Sequence, residues 1–370
     1  MIRRSTYRLI FYLIISLFIT LNSYSVCHSE GSRSDSINDG PYIFFVNNRI
    51  AVKWIENNLF RTDYITPKNF NSTKEKFNLL FSYNDLKNVR FLKTDFVQFY
   101  SGVDSIAAIS DIHGEFDSYI NLMKSLGIID DNLNWKFGKG HLVVLGDTFD
   151  RGDMVTEVLW HLFGLEKQAV IAGGMVHLLI GNHETLMLRK DPRYLNEKYL
   201  KVMAISGIQY SDLYSEESVL GKWIRYQPAV ISINDILFVH GGVSIEMVRR
   251  KMKLEQINRI FSDIILRGEA YSDNELADFK FLNDDVGPIW YRGFFTDKSF
   301  CMSRLDSILN FYDKNHIVVG HTTSDKIRAL FDDKIFGIDA GLGNDQPGAM
   351  LIYKNGLFYQ GLITGERIKL

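Results

Sequence analysis

Five short apolar runs, each followed at once by a glycine-flanked polar cluster, constrain the fold of this chain more than any other feature. The runs read SIAAIS, HLVVLG, VHLLIG, ILFVHG and HIVVGH. Runs that are apolar at every position and rich in β-branched residues are typical of strands buried on both faces. Helical patterns separate them, for example FDSYINLMKSLG, in which Phe116, Tyr119, Leu122 and Met123 share one face. The sequence therefore predicts a mixed α/β core with helical layers on both sides.

The N-terminus has a different composition. MIRRSTYR is basic, LIFYLIISLFITL is apolar, and small residues follow at Ser23 and Ser25. This is the order of a secretory signal peptide, and it predicts cleavage after Ser25 and a periplasmic or secreted protein without stable membrane association. The apolar run is shorter than the roughly 20 residues that a spanning helix needs. An uncleaved N-terminal membrane anchor is the alternative.

Further segments follow the predicted signal peptide (residues 1–25). Residues 26–40 are small and polar, which predicts a flexible linker. Residues 41–104 begin with a predicted hairpin around Asn47–Asn48 and are expected to pack on the main domain. Residues 105–370 form the predicted main domain, with mainly helical insertions near 189–227 and 246–290. This domain ends in a predicted hairpin around Asn355–Gly356.

The polar clusters after the five runs carry the side chains with the most reactive chemistry. The clusters are SDIHG, GDTFDRG, GNHE, VHGG and GHT, and they contain Asp111, His113, Asp147, Asn182, His240 and His321. Loops at the carboxyl ends of parallel strands meet at one edge of a sheet, so these side chains should converge. A set of nitrogen and oxygen ligands without thiolate suits Mn, Fe or Zn. Six ligands are enough for two divalent ions if a carboxylate bridges them.

The alternative is that these are ordinary polar residues at strand ends. Taken singly, an Asp or His in such a position is more often a cap or a surface residue. Five glycine-flanked clusters in this order favour the metal site. The histidines outside the clusters lie in the tail, in strands or in a helix, and are expected to be structural: His28, His141, His161, His177 and His316.

These motifs resemble the series found in the calcineurin-like metallophosphoesterases, and GDTFDRG and GNHE resemble the phosphoprotein phosphatase branch. The segment VGPIWYRGFF, together with residues 105–343, is similar to the bacterial Shewanella-like protein phosphatases. The resemblance implies a β-sandwich with helices on its outer faces. Ser110, Ile180 and the lack of a SAPNY-type segment depart from the eukaryotic Ser/Thr enzymes, which puts the protein-substrate preferences of those enzymes in doubt for this chain.

The resemblance also implies a role for each site residue. Asp111 and His113 would hold one metal, Asn182, His240 and His321 the other, and Asp147 would bridge, with a hydroxide between the metals as nucleophile. His183 would protonate the leaving oxygen and Asp150 would orient it. Arg151 and Arg292, with Asn182, would bind the phosphate oxygens. A structural turn residue and a surface arginine are the alternatives for Asp150 and Arg292.

The expected function is a dinuclear-metal phosphomonoesterase of the protein phosphatase type, acting on a phosphorylated protein or a small phosphoester. A hydrolase of nucleotides or dinucleoside polyphosphates is one alternative. A non-catalytic secreted metal-binding module is another, although an intact His183, Asp150 and Arg151 argue against it. The formal net charge of −2 does not favour a nucleic-acid surface. Metal identity and oligomeric state stay open.

The sequence leaves two further questions, the role of the aromatic residues around Arg292 and the role of Cys301. Aromatic residues surround Arg292 and fit either an aryl slot or the core: Trp290, Tyr291, Phe294 and Phe295. Cys301 lacks the Cys-x5-Arg loop of thiolate phosphatases, so we expect it to be buried packing or a disulfide half rather than a nucleophile. Whether Cys27 and Cys301 pair is left open by the sequence.

Overall fold

The computed structural model of the protein describes residues 36–89, 99–266, 272–343 and 346–370, and of residues 264–266 only the backbone. The predicted signal peptide and most of the predicted linker lie outside the described residues. The first strand begins at Asp39, so the last two residues of the predicted linker belong to a strand. Residues Ile37–Leu370 form one compact unit. In the described part of the chain, no helix is both long and apolar enough to cross a bilayer.

Strands and helices alternate along the chain. The strands are β1 (Asp39–Val46), β2 (Arg49–Glu56), β3 (Leu59–Ile65), β4 (Phe99–Tyr100), β5 (Ser105–Ile109), β6 (His141–Val144), β7 (Met175–Leu178), β8 (Val230–Ile233), β9 (Ile236–Val239), β10 (His316–Val319), β11 (Arg328–Leu330), β12 (Ile335–Gly337), β13 (Met350–Lys354), β14 (Leu357–Gly361) and β15 (Arg367–Lys369). The helices are α1 (Phe70–Lys76), α2 (Tyr83–Val89), α3 (Phe116–Ser125), α4 (Val155–Ala172), α5 (Asn182–Leu188), α6 (Glu197–Ser206), α7 (Tyr210–Leu213), α8 (Val219–Ile224), α9 (Ile245–Arg249), α10 (Leu254–Ile260), a π-helical turn (Phe261–Leu266), α11 (Asp273–Leu282), α12 (Gly293–Thr296) and α13 (Met302–Tyr312).

The strands form three sheets. Sheet I has the order β15-β14-β13-β5-β6-β7 and sheet II has the order β11-β12-β10-β9-β8-β4. The neighbours β5, β6 and β7 are parallel, as are β9, β10 and β12, so their carboxyl ends point the same way within each sheet. The third sheet is the antiparallel N-terminal sheet β1-β2-β3. It is joined to the main domain by the Trp160 indole of α4, which donates to the carbonyl oxygen of Pro41 (2.7 Å).

Alternation along the central strands divides the core into two parts. In β5, Ile106 and Ala108 belong to the cluster that also contains Phe238 of β9 in sheet II, so they lie between the two sheets. The intervening Ala107 and Ile109 belong to the larger cluster, which includes the helices. Both faces of these strands are buried, as their uniformly apolar sequence requires. The predicted sandwich with helices on its outer faces is confirmed.

Most predicted elements are present. The five strands are β5, β6, β7, β9 and β10, and both predicted hairpins occur, as β1–β2 and β13–β14. Strand β3 and the short strands β4, β8, β11 and β15 were not predicted. Within the described residues, segments 189–227 and 246–290 contain helices and no strand.

Candidate metal centre

The loops that follow β5, β6, β7, β9 and β10 meet in the structure. Three of them come from sheet I and two from sheet II, so the site lies where the carboxyl ends of the two sheets adjoin. Together they bring in all six predicted ligands, which are buried: Asp111, His113, Asp147, Asn182, His240 and His321. Because the residues come from distant parts of the chain, only the folded sandwich assembles them.

Asp147 stands at the centre of this cluster. Its Oδ2 atom lies 3.8 Å from Nε2 of His113, 3.8 Å from Nε2 of His183 and 3.3 Å from Nε2 of His240. Asp147 is shared by two groups of potential ligands, one with His113 and His183 and one with His240 and His321. Two ligands held about 2.1 Å from one ion are separated by roughly 3.0–3.4 Å. The spacing therefore suits two cations with Asp147 between them.

The other two predicted ligands adjoin the same groups. Asp111 places Oδ1 4.0 Å from Nε2 of His113, and its Oδ2 accepts a hydrogen bond from the backbone N–H of His321 (2.9 Å). Asn182 places Oδ1 2.9 Å from Nε2 of His240. The structure thus assembles the whole predicted set, and it adds the imidazole of His183 to the atoms within reach of a cation.

The histidine tautomers also fit cation binding. His113 donates from Nδ1 to the carbonyl oxygen of Phe149 (2.6 Å), and His240 donates from Nδ1 to that of Leu145 (2.7 Å). These bonds direct both Nε2 atoms into the site, as second-sphere bonds do for metal-ligating histidines. Nε2 of His113 and Nε2 of His321 are buried and have no hydrogen-bond partner among the described residues. Buried polar atoms left unpaired are costly, and a divalent cation would satisfy both.

Asp147 and His240 stabilise each other's charged forms. Burial alone would raise the pKa of Asp147, but the imidazoles around it, His240 foremost, hold that pKa well below its ordinary value. Burial alone would lower the pKa of His240, but Asp147 raises it to about 9. Without a cation, the pair is therefore a carboxylate and an imidazolium. A cation binding between them would displace the proton of His240, so metal uptake should release it.

The remaining ligands are neutral in this arrangement. Burial, and next the nearby carboxylate of Asp339, raise the pKa of Asp111 to about 8. Burial lowers the pKa of His113 to about 3 and that of His321 to about 2. Neutral imidazoles are the form that metals bind. The crowding of carboxylates without a matching permanent cation is what divalent metals would relieve.

The ligand loops have strained backbones. Six site residues have positive φ angles without being glycine: Asp111, His113, Asp147, Asp150, Arg151 and His321. Such conformations are unfavourable and persist at functional sites where the surroundings hold them. Gly181 lets two of these loops approach, since a Cβ atom there would lie 2.2 Å from Oδ1 of Asp147. The glycine is therefore required by the close approach of a neighbouring ligand loop.

Glu184 holds two of these loops together, a role that was not predicted from the sequence. Its side chain is fully buried, and its two oxygens accept four hydrogen bonds of 2.7–2.8 Å. The donors are the backbone N–H groups of Asp147, Thr148 and Gly181 and the hydroxyl of Thr148. A Glu three residues into a helix is the capping-box position, and this signal could have identified it.

Asp339 is a second buried carboxylate that was not predicted to belong to the site. It accepts hydrogen bonds from the hydroxyl of Thr323 (2.6 Å) and from the N–H of Gly341 (3.1 Å). It therefore ties the loop that carries His321 to the segment after β12. An isolated Asp in the apolar run FGIDAG was its only sequence signal.

His183 and Asp150 form a buried pair at the edge of the cluster. His183 donates from Nδ1 to Oδ2 of Asp150 (2.7 Å), and its ring lies 4.6 Å from the ring of His113. The ring of Tyr194, from the segment after α5, lies 5.0 Å from the ring of His183 and is 46% exposed. Tyr194 is thus a solvent-facing aromatic residue at the mouth of the site. It lies in the predicted helical insertion, before the helix begins, and no sequence signal there distinguishes it.

The two predicted phosphate-binding arginines are exposed at the site. Arg151 follows Asp150 directly, and Arg292 donates from its guanidinium to the carbonyl oxygen of His321 (2.6 Å). The aromatic residues near Arg292 divide between the two expected roles. Tyr291 and Phe294 are buried in the core, whereas Trp290 is half-buried with its ring 5.8 Å from that of His321.

Other candidate residues lie outside the cluster, and the histidines among them bond to protein groups. His141 and His177 bond to each other (3.0 Å), and His161 bonds to the Tyr119 hydroxyl (3.0 Å). Cys301 is exposed and forms no disulfide within the described part of the chain, so the expectation that it is buried packing was wrong. It precedes α13, where the helix turns its apolar face inward and leaves this position in solvent.

The sequence and the fold are similar to those of known proteins. Residues 105–325 match the family model described as calcineurin-like phosphoesterase. Shewanella-like protein phosphatase 1 of Plasmodium berghei (strain Anka) is 29% identical over 252 residues, which are 64% of this chain and 67% of the relative. Shewanella-like protein phosphatase 2 of Arabidopsis thaliana is 23% identical over 309 residues, 70% of this chain and 75% of the relative. A solved cold-active protein-tyrosine phosphatase of a psychrophilic Shewanella sp. is 34% identical, with a TM-score of 0.79 over 90% of this chain and 99% of that one.

Proposed function

Since the chain belongs to the calcineurin-like phosphoesterase family, we propose that it is a phosphatase that uses two divalent metal ions and prefers aryl phosphate monoesters, with phosphotyrosine in proteins as the substrate class. The predicted family is thereby confirmed. The observation that carries the proposal is the pair of ligand groups sharing Asp147, with the His183–Asp150 pair at their edge. Two cation sites beside a candidate general acid could activate water and protonate the leaving group of a phosphate ester.

Metals of the Mn, Fe or Zn type suit the donor set of imidazole, carboxylate and amide oxygen. Asp111 and His113 would hold one ion and Asn182, His240 and His321 the other, with Asp147 between them. When bound, the two cations would activate water and offset the negative charge of the phosphate. All other contributions come from the chain itself.

His183 is placed to give a proton to the leaving oxygen. Burial alone would lower its pKa, but the carboxylates of Asp147 and Asp150 raise it above the ordinary value. Cations bound to Asp147 would weaken its effect on the pKa of His183, whereas the hydrogen bond from His183 to Asp150 would persist. A histidine kept protonated near neutral pH by a fixed partner suits general-acid catalysis.

Arg151 and Arg292 would bind the phosphate oxygens. Both residues are exposed, Arg151 follows Asp150 in the chain, and the guanidinium of Arg292 is oriented by the carbonyl oxygen of His321. A planar guanidinium can donate two parallel hydrogen bonds to a phosphate. The arginines would therefore hold the phosphate over the cluster and leave the ester oxygen toward His183.

The preference for aryl esters is supported by two aromatic rings at the mouth. Tyr194 covers His183 and Trp290 adjoins His321, so an aryl leaving group next to His183 would have an apolar wall. The Shewanella relative is named a protein-tyrosine phosphatase. Aromatic pairs contribute about 0.5–1.5 kcal/mol beyond the area that they bury.

Metal-stripped protein, reconstituted with single metals and assayed on matched phosphotyrosine, phosphoserine and phosphothreonine peptides, tests the proposal. Tyr194→Ala should lower kcat/KM on phosphotyrosine by about 2- to 10-fold and leave phosphoserine nearly unchanged. Tyr64→Ala, at a 38% exposed tyrosine on β3, is the control. If no metal supports hydrolysis of any peptide, the proposed phosphatase activity is refuted. If Tyr194→Ala lowers kcat/KM equally on phosphotyrosine and phosphoserine peptides, the aryl preference is refuted.

We also propose that the mature protein is periplasmic or secreted and begins near Val26. The basic start, the apolar run and the small residues Ser23 and Ser25 support this. Mass spectrometry of protein isolated from its native host is the test. An intact N-terminal peptide in membrane fractions would refute cleavage and support an anchor.

A further inference from the structure

A nearly buried lysine lies behind the proposed phosphate-binding loop. The side chain of Lys198, in the first turn of α6, is 15% exposed, and its Nζ lies 2.7 Å from Oδ1 of Asp39. The Asp39 side chain is fully buried, and its other oxygen accepts a hydrogen bond from the Tyr42 hydroxyl. Glu157 of α4 is 3.9 Å from the same ammonium group. Burying these charges is costly, so the arrangement calls for an explanation beyond stability.

The ammonium group of Lys198 also reaches the loop after β6. It donates to the carbonyl oxygen of Asp153 (2.5 Å). Four further hydrogen bonds join the same two segments: Arg151 N to Tyr194 O (3.0 Å), Asn196 Nδ2 to Arg151 O (2.7 Å), Tyr199 Oη to Asp153 O (3.0 Å) and Val155 N to Tyr199 Oη (2.8 Å). Segment 194–199 is therefore bonded along the length of segment 151–155.

The loop that receives these bonds needs to be held. Asp150 and Arg151 are consecutive residues with φ angles of 68° and 63°. Two adjacent non-glycine residues in this region are unfavourable, and the surroundings must enforce them. Lys198 supplies the charged group among these five bonds, and Asp39 of β1 supplies the opposite charge. A strand from the N-terminal sheet is thereby connected to the loop beside the metal cluster.

We propose that Lys198, balanced by Asp39, is a positioning residue for the Asp150–Arg151 loop. Lys198 touches neither the substrate nor a metal. It holds the carbonyl group of Asp153 and so sets where the guanidinium of Arg151 and the carboxylate of Asp150 stand. The inference rests on the proposed roles of those two residues. It makes the N-terminal sheet part of the catalytic unit.

Substitution in the full-length, metal-loaded protein tests this. Lys198→Met should lower kcat/KM on a phosphotyrosine peptide by about 10- to 100-fold, since small displacements of positioning groups cost rates of this order. The dissociation constant of inorganic phosphate, measured by calorimetry, should rise as well, while metal content stays at the wild-type value. Lys198→Arg keeps the charge and should recover most of the loss. Lys167→Met is the control. Lys167 lies in the C-terminal half of α4, away from the Asp150–Arg151 loop, and its side chain is 23% exposed and paired with Glu166 (2.6 Å). Its replacement should change neither kcat/KM nor phosphate binding.

A double variant separates positioning from stability. Lys198→Met leaves the buried charge of Asp39 unpaired and should lower Tm. Adding Asp39→Asn removes that charge, so Tm should return toward the wild-type value while kcat/KM and phosphate binding stay impaired. Two results would overturn the proposal. One is that kcat/KM and phosphate binding recover together with Tm in the double variant. The other is that folded Lys198→Met binds phosphate as tightly as the wild type. If wild-type protein binds phosphate but hydrolyses no ester, the proposed function fails, and the phosphate-binding comparison still decides the role of Lys198.

Discussion

Replacing Glu184 by Gln should weaken metal binding without changing any predicted ligand. The four donors around Glu184 lie 2.7–2.8 Å from its oxygens, and all are N–H or O–H groups. Glutamine offers one acceptor oxygen and one NH₂ group. With the NH₂ group toward Thr148, the hydroxyl can turn to accept from it, but the backbone N–H of Thr148 then faces a donor. One hydrogen bond to a charged group is lost, about 1.5–3 kcal/mol, and the two bonds on the other oxygen become bonds to a neutral acceptor, each weaker by about 1 kcal/mol. The loops that carry Asp147 and Gly181 would then lose about 3–5 kcal/mol of mutual restraint.

Only part of that loss reaches the metals. Second-sphere changes typically lower metal affinity about 10- to 100-fold, which corresponds to about 1.4–2.8 kcal/mol. We expect Glu184→Gln to lose metal affinity by a factor in this range, as measured by competition with a chelator. The variant should regain activity at high metal concentration. Thr148→Val is the graded control, because it removes one of the four donors and should cost less than about tenfold. Wild-type metal affinity in Glu184→Gln would refute the idea that this carboxylate holds the ligand loops in place.

The bridging carboxylate, the proposed general acid and a core histidine each give a further prediction. Asp147→Asn should abolish activity and reduce the metal content toward one ion or none, because both ligand groups share this residue; normal stoichiometry by elemental analysis would contradict the bridging assignment. His183→Ala should keep both metals and lose about 10²–10⁴-fold in kcat on phosphoserine, with a clearly smaller loss on nitrophenyl phosphate, and Asp150→Asn should show a weaker form of this pattern. Lost metal in His183→Ala would instead make His183 a ligand. Burial lowers the pKa of His177 from 6.5 to about 3, so below pH 6.5 the unfolded chain takes up a proton that the folded chain does not. Stability should therefore fall with decreasing pH, by about 2 kcal/mol from this residue at about pH 5, and a Tm that declines as steeply in His177→Gln would count against it.

The candidate metal ligands could be found from the sequence because each follows a strand that is itself easy to recognise. A run such as HLVV is apolar throughout since both of its faces are buried, and the loop after it must lie at the strand's carboxyl end. The polar residues in that loop are therefore placed by the strand. The same reasoning found Asp147 and His240 without any knowledge of how the sheets pack.

Residues that support the ligands were harder to identify, because their role depends on contacts between segments distant in sequence. Glu184 was visible within a motif, but its partners Asp147 and Thr148 lie 36–37 residues away. Lys198 and Tyr194 lie in an insertion whose apolar pattern reveals a helix and nothing about which loop it touches. Asp39 was assigned to a linker because its neighbours are small and polar, whereas its carboxylate is buried by the pairing with Lys198.

The division of ligands between two sheets makes metal binding depend on how the sheets pack. Asp147 and Asn182 follow strands of sheet I, whereas His240 and His321 follow strands of sheet II. The side chains between the sheets, including Val143 of β6 and Phe238 of β9, set the distance between these two halves. Metal sites tolerate errors of only about 0.2 Å in ligand distance, and close-packed cores transmit small displacements. The buried apolar runs that identified the fold are therefore also the elements that fix the spacing of the ligands, and their uniform apolarity serves the site as well as the core.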